Sequence, residues 1–562
     1  MSYSRPSDQP GPTPPLERRA FVRHGLVMGA TALALPVTRT VPNEGAAARA
    51  GLPVTAPRIA PFELEEITVA ELQSAMASGR WSARSITEMY LERIHAVDRT
   101  GPSLNSVLEV NPDALSIAES LDRERKGGTV RGPMHGIPVL IKDNIDTADR
   151  MHTSAGSLAL AESQATTDAE VVRRLRAAGA IVLGKVNLSE WANWRSTRSS
   201  SGWSGRGGQT RNPYALDRNP CGSSAGTGAS ISANLAAVGI GTETDGSIVC
   251  PSSANGLVGL KPTVGLVSRA GIIPISRSQD TAGPMCRTVR DAAALLSVMA
   301  GADSRDVATA ASAGRVERDY TSFCDAAGLK GARIGVVRKL FNAGPAVDAI
   351  MKEALAAMKG AGAILVDPVV VKTLGHFEAA EFEVLLYESK TDIAAYLATL
   401  GPAAPHKTLA DLIRFNNEHA AASMPYFGQE IFLQAEAKGT LTSPAYRKAL
   451  ATCRRLSRVE GLDLALRTHR LDALVAPTGG PAWMTDLVNG DHFTGGSSSL
   501  AAVSGYPSIT LPAGRIHGLP VGLSFIGGAW TEGKLVRLAY AFEQATKARR
   551  VPNFLATADL RS

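Results

Sequence analysis

The sequence predicts an α/β protein, and three observations carry that class. Asp168 to Ala178 has the pattern of a helix stopped by Gly179, and Ala180-Ile181-Val182-Leu183-Gly184 follows as an apolar strand, the alternation of helices laid on a sheet. A second apolar run, from Gly136 to Ile141, reads as a strand whose end delivers a charged residue, Lys142. Glycine is abundant, with 54 residues, while aromatic residues make up only 5%, a composition suited to helices packed closely on a sheet. The 562 residues could fill more than one ordinary domain, but α/β enzymes build single cores of this size. One domain is expected over residues 51–562, behind a distinct segment at 1–50.

In chain order, that first segment reads as a targeting sequence. Arg18-Arg19-Ala20-Phe21-Val22 precedes an apolar stretch from Gly25 to Pro36 that is too short to anchor in a bilayer. A paired arginine before a mild apolar region is similar to a twin-arginine export signal, and Ala46-Ala47-Ala48 and Ala48-Arg49-Ala50 offer small-x-small cleavage sites. The expectation is a periplasmic or secreted protein that meets the twin-arginine export machinery in transit. Thr68 and Glu71 have capping-box spacing and open a helix to about Ser78. Ser85 and Glu88 lie near the start of a second, whose apolar face is Ile86, Met89, Tyr90 and Ile94.

After the strand ending at Lys142 comes a polar loop, Met151 to Gly156, in which His152 reads as a surface histidine. The loop from Trp191 to Gln209, dense in Trp, Ser, Arg and Gly, is either a surface connection or one wall of a cleft. Thr227 to Ala237 is a run of small residues fit for a helix buried against its neighbours. Residues from about 310 to 460 read as a mostly helical insertion, apart from a strand at Ala332 to Val337. Asp472 to Thr478 and Tyr506 to Pro512 return to the sheet, and a helix from Gly533 to Thr546 closes the fold.

Charge excludes one class of partner. The first fifty residues hold six arginines against three acidic residues, so the net +7 leaves only +4 on the large remainder. No basic block with interleaved aromatics appears, so nucleic acid is not an expected partner, nor is a membrane a stable one. The five cysteines, Cys221, Cys250, Cys286, Cys324 and Cys453, show no paired spacing. Neither a disulfide framework nor a metal site is predicted from them, and Cys250 and Cys286 read as small buried residues.

The chemistry concentrates in Asn219 to Gly228 and Gly241 to Ser247, built almost entirely from Gly, Ser, Thr and Ala. Such residues let backbone approach a ligand closely. Ser223, Ser224 and Ser247 are candidate nucleophiles among glycines able to aim main-chain N–H groups at developing negative charge. No histidine lies between His152 and His376, so the base must come from elsewhere, and Lys142 is the candidate. Its reference pKa of about 10.4 must fall to near 7, which desolvation can supply if the apolar strand buries it. Asp143 would oppose that fall and is expected to point away.

These motifs resemble the amidase signature family: Lys142 before Asp143-Asn144, Gly222-Ser223-Ser224-Ala225-Gly226, and Gly246-Ser247-Ile248 leading to Gly259-Leu260-Lys261-Pro262. The likeness runs from about residue 65 to 545. Gly241 to Pro251, Ile272 to Ser276 and Ser278 to Pro284 carry a narrower resemblance to bacterial peptide amidases. The family implies a large mixed β-sheet covered by helices on both faces. It also implies a Ser-Ser-Lys triad in which Ser247 is the nucleophile, Ser223 a bridging serine after a cis bond from Gly222, and Lys142 the base. Main-chain N–H groups of Thr244, Asp245, Gly246 and Ser247 would form the oxyanion pocket, and no cofactor or metal is implied. The expected activity is hydrolysis of a carboxamide, foremost the C-terminal amide of a peptide, with an aryl or anilide amide as the alternative substrate.

Two other readings stand beside it. Gly222 to Gly226 also fits the nucleophile elbow of α/β-hydrolases, with Ser224 central and Asp472 and His492 as later partners. That motif needs a preceding strand, and Asp217 to Pro220 reads as a turn. The amidase subunit of aminoacyl-tRNA amidotransferases shares the family motifs but works in the cytoplasm with partner subunits, which the export signal opposes.

Overall fold

The computed structural model describes residues 59–561, so the export signal expected within residues 1–50 lies outside the described residues. The described residues belong to one compact unit. Its strands are β1 (Val107–Val110), β2 (Pro138–Lys142), β3 (Ile181–Val186), β4 (Trp203–Ser204), β5 (Gly208–Gln209), β6 (Val238–Glu243), β7 (Val258–Lys261), β8 (Thr281–Cys286), β9 (Arg333–Val336), β10 (Ile364–Val366), β11 (Ala473–Pro477), β12 (Ser508–Ile516) and β13 (Leu519–Ile526). Eleven of them form one mixed sheet in the order β1-β3-β2-β6-β8-β7-β12-β13-β11-β9-β10, and β4 pairs with β5 as a separate hairpin. β2 runs parallel to both β3 and β6, while β8, β7, β12 and β13 pair antiparallel. Every residue of β2 is buried, which is why that strand reads as a continuous apolar run rather than an alternating one.

Glycine shapes the face that carries the site. A Cβ on Gly239 would stand 2.7 Å from Ile231 and Thr227, and one on Gly241 would stand 2.7 Å from Ser224 Oγ. The helix Ala225–Ser232 therefore lies directly on β6, and helix Val249–Ala254 lies beside it. Helices Val289–Met299, Pro345–Gly360 and Glu532–Thr546 bury their apolar faces in the main core, so helices cover the sheet on both sides. Among the described residues, no helix is long and apolar enough to cross a membrane.

Local signals set the helix ends. Thr68 and Glu71 form the expected capping box on helix Val69–Ala77. On helix Ala83–Arg93 the cap is Ser82, with Ser85 answering from the third helical position. The small-residue helix is shorter than the expected 227–237: it begins at Ala225 and ends before Asn234, whose φ of +61° breaks it.

The expected insertion at about 310–460 also begins later. β9 and β10 lie parallel to each other at the sheet edge with helix Pro345–Gly360 between them, so residues 333–366 extend the sheet. The helical addition proper starts with helix Glu378–Thr399. The loop from Trp191 to Gln209 is largely buried against it: Trp191 packs on Phe432, Trp194 on Phe382 and Trp203 on Phe427, with ring centroids 5.1–5.6 Å apart.

Candidate active site

Parallel pairing of β2 and β6 sets Ile141 opposite Ile240, so the next residues of both strands emerge together at their carboxyl ends. Open α/β sheets place their ligand sites there. Lys142 Nζ lies 2.7 Å from Ser223 Oγ, 2.8 Å from Thr242 Oγ1 and 3.2 Å from the Thr242 carbonyl oxygen. Two of these partners are hydroxyls that can donate, so an uncharged amine can receive one bond on its lone pair and donate the others. Lys142 is fully buried. Burial pulls its pKa down to about 7, against the opposing pull of Asp280 and Glu243, which favour the ammonium. Asp143 faces away, as its neighbour requires. Its carboxylate accepts from the Ser154 hydroxyl and the Gly156 N–H and meets Arg206 Nη1 at 3.3 Å.

Ser223 is buried, and the Gly222–Ser223 peptide is cis. Gly222 admits no side chain, because a Cβ would stand 2.2 Å from Ser189 Oγ. Ser247 lies where the chain leaves β6, close to the second serine segment, and its carbonyl accepts from the Ser224 N–H at 3.2 Å. A disulfide between Cys221 and Cys250, Cα atoms 6.0 Å apart, ties the same two segments covalently. This corrects the reading of unpaired cysteines: the partners stand 29 residues apart, a spacing that belongs to no short motif. Cys286 and Cys453 are free and buried, and Cys324 is free and partly covered.

The structure removes Ser224 as a nucleophile. Its buried hydroxyl donates to the Thr242 carbonyl at 3.0 Å and accepts from the Thr242 N–H at 3.1 Å. Asp472 is held by the Arg333 N–H and by Lys534 Nζ, both at 2.9 Å, rather than by an imidazole. His152 is held by Glu109 at 2.8 Å.

The turn after β6 is shaped for anion binding. Glu243 accepts the N–H groups of Ile248 at 2.8 Å and Val249 at 3.0 Å. The N–H groups of Thr244, Asp245, Gly246 and Ser247 have no acceptor among the described residues, and Gly246 turns the chain at φ +83°. Such unspent donors in a tight turn make a concavity for negative charge. The Thr244 hydroxyl donates to Asp280 at 2.6 Å, and Asp280 also accepts the N–H groups of Ile275 and Ser276 at 2.8 Å. A small cleft of about 20 Å³ opens alongside, lined by Asn144, Ala192, Thr242, Thr244, Ile273 and Asp280 among others. The Trp191–Gln209 loop is thus both packed connection and cleft wall.

Sequence reasoning missed Thr242, Asn144 and Asp280 as site groups. Asn144 Nδ2 donates to Thr242 Oγ1 at 3.0 Å and so orients the hydroxyl that faces the lysine. All three lie inside the quoted motifs, but only the strand register shows that they converge. Among the described residues, no cluster of His, Cys, Asp and Glu is arranged to hold a metal ion.

A family model described as Amidase matches residues 85–536. The chain is 42% identical to a probable amidase of Arabidopsis thaliana over 504 residues, covering 88% of this chain and 93% of the relative. Among solved structures, native peptide amidase from Stenotrophomonas maltophilia superposes with a TM-score of 0.84 at 54% identity, covering 88% of this chain and all of that one. An amidase family protein from Bacillus anthracis superposes with a TM-score of 0.78 at 37% identity, covering 87% and 93% of the two chains.

Proposed function

This chain belongs to the amidase family, and from that premise we propose that it hydrolyses the C-terminal amide of peptides, releasing ammonia through an acyl-serine intermediate. The observation that carries the mechanism is the buried amine of Lys142, its pKa brought down to about 7, at 2.7 Å from the Ser223 hydroxyl. Lys142 takes the Ser223 proton as Ser223 takes that of Ser247, and Ser247 Oγ attacks the amide carbonyl. Negative charge on the carbonyl oxygen is met by the N–H groups of Thr244 to Ser247, where one donor typically contributes about 10²–10³ in rate. The proton returns by the same route to the departing nitrogen, which leaves as ammonia, since an amide anion cannot leave. Water then adds to the acyl-Ser247 carbonyl, restoring the hydroxyl and releasing the acid.

The peptide-amide substrate is supported by the 54% identity to a peptide amidase over nearly the whole of that chain. Export from the cytoplasm is supported by the Cys221–Cys250 disulfide, because such bonds persist in oxidising compartments. Two substrate sets decide the proposal: ammonia released from dipeptide amides and amine released from acyl anilides. Turnover of the anilides alone would overturn the peptide-amide assignment. Ser247→Ala should lose all measurable turnover while keeping its thermal midpoint, and residual activity near the wild-type rate would remove Ser247 as nucleophile.

A further inference from the structure

The turn that carries the four unspent N–H groups is gripped from the helical addition. Gln279 Nε2 donates to the Thr244 carbonyl at 3.3 Å and to Glu381 Oε1 at 2.9 Å, and Glu381 lies in the first turn of helix Glu378–Thr399. Asp245, the next residue of the turn, accepts the Ser499 hydroxyl on Oδ2 at 2.7 Å. Its Oδ1 is shut away from solvent and receives no bond from any amide, hydroxyl or cationic donor. The carboxyl of Glu381, itself buried, stands within hydrogen-bonding reach of the Asp245 carboxyl. Two ionised carboxylates cannot share such a place, and a single proton between them satisfies both.

We propose that Glu381 is a positioning residue for amide hydrolysis: its protonated carboxyl donates to Asp245 and holds the turn from Thr244 to Ser247 in the shape that aims its N–H groups at the substrate oxygen. This rests on the function assigned above to that turn. The surroundings say which acid keeps the proton. Asp245 is hydrogen-bonded as an anion by Ser498 and Ser499 and is faced by Lys261, with Glu243 opposing. Glu381 is faced by Asp245 and Glu378, both negative, by the neutral amide of Gln279, and by the Cys453 thiol of helix Pro444–Arg454. Burial and the two neighbouring carboxylates push Glu381 well above the usual carboxylate range. A raised pKa means the proton is present at low and neutral pH and lost as pH rises, so the grip fails on the alkaline side.

The test compares Glu381→Gln with Glu381→Ala on a dipeptide amide. Glutamine keeps an N–H to donate to Asp245, so E381Q should stay within about threefold of the wild-type kcat and lose the alkaline limb that belongs to Glu381. E381A should lose on the order of 10²-fold in kcat, the size of a displaced oxyanion donor, with KM little changed. Equal kcat in all three proteins overturns the proposal, and so does equal inactivity of E381Q and E381A with both folded. An independent readout needs no turnover: infrared spectra at neutral pH should show a protonated-carboxyl band in the wild type that is absent from E381Q. If the wild type leaves the dipeptide amide untouched, the functional assignment fails. The infrared band then still judges the shared proton, and its absence rejects the Glu381 role even if E381A fails to fold.

Discussion

In the unfolded chain at neutral pH Lys142 is an ammonium, whereas in the folded chain its pKa falls from 10.5 to about 7. The gap costs roughly 4–5 kcal/mol of stability, accumulating as pH falls from 10.5 to 7 and constant below. Lys142→Met removes that penalty but leaves the Ser223 and Thr242 hydroxyls short of a partner, at about 1–3 kcal/mol. The first quantity is larger, so the variant should be inactive and yet more stable by about 1–4 kcal/mol at pH 7, an advantage that fades toward pH 10; thermal melts across that range check it. Because only the uncharged amine accepts a proton, wild-type kcat should rise as pH passes upward through about 7. Lys142 was legible as the candidate base because no histidine stood near in sequence, whereas residue type left Ser223, Ser224 and Ser247 all as candidates, and only the family resemblance separated Ser223 and Ser247 from Ser224. Thr242 was not legible, because a threonine beside a glycine has many structural uses.

At the scale of elements, helix Glu378–Thr399 acts as a clamp. Glu381, Glu388, Asp392 and Tyr396 fall at spacings that share a face. Glu388 accepts the hydroxyls of Ser276 and Ser278, Asp392 pairs with Arg277, and the Tyr396 hydroxyl donates to Asp146 at 2.8 Å. One helix thereby fixes the loop after Ile275 and the exit of β2, beyond its grip on the Thr244–Ser247 turn. Phe382, Leu385, Leu386 and Ile393 fall at helical spacing and mark the helix in the sequence, whereas nothing local marks its polar contacts. β6, β7 and β8 escaped for the opposite reason: their glycines and threonines make room for helices and carry little apolar periodicity. The disulfide closes 29 residues between the two serine segments, a loop worth about 3–4 kcal/mol in chain entropy. Cys221→Ala with Cys250→Ala should lower stability by about that amount and reduce kcat more than it raises KM; denaturant melts and steady-state kinetics measure the two effects.

Over the whole molecule, Lys142 at the end of β2 and Thr242 on β6 meet because both strands belong to the eleven-stranded sheet of the described residues. The α/β class and the outer elements were readable because alternation of apolar runs survives in single segments. The strand order was not, because pairing β6 with β8 and β7 with β12 joins stretches that no local pattern connects. That same sheet leaves one lysine chemically unlike its fellows. Most lysines on the surface are ammonium ions at pH 7 and inert to neutral electrophiles, whereas Lys142, buried against the Ser223 and Thr242 hydroxyls, is about half uncharged there. Cyanate should carbamylate it ahead of them as the site opens, and ahead of Lys261, whose amine sits at about 8 and already serves the Pro262 and Tyr506 carbonyls. Peptide mapping of partly inactivated protein should find loss of turnover tracking that single modification.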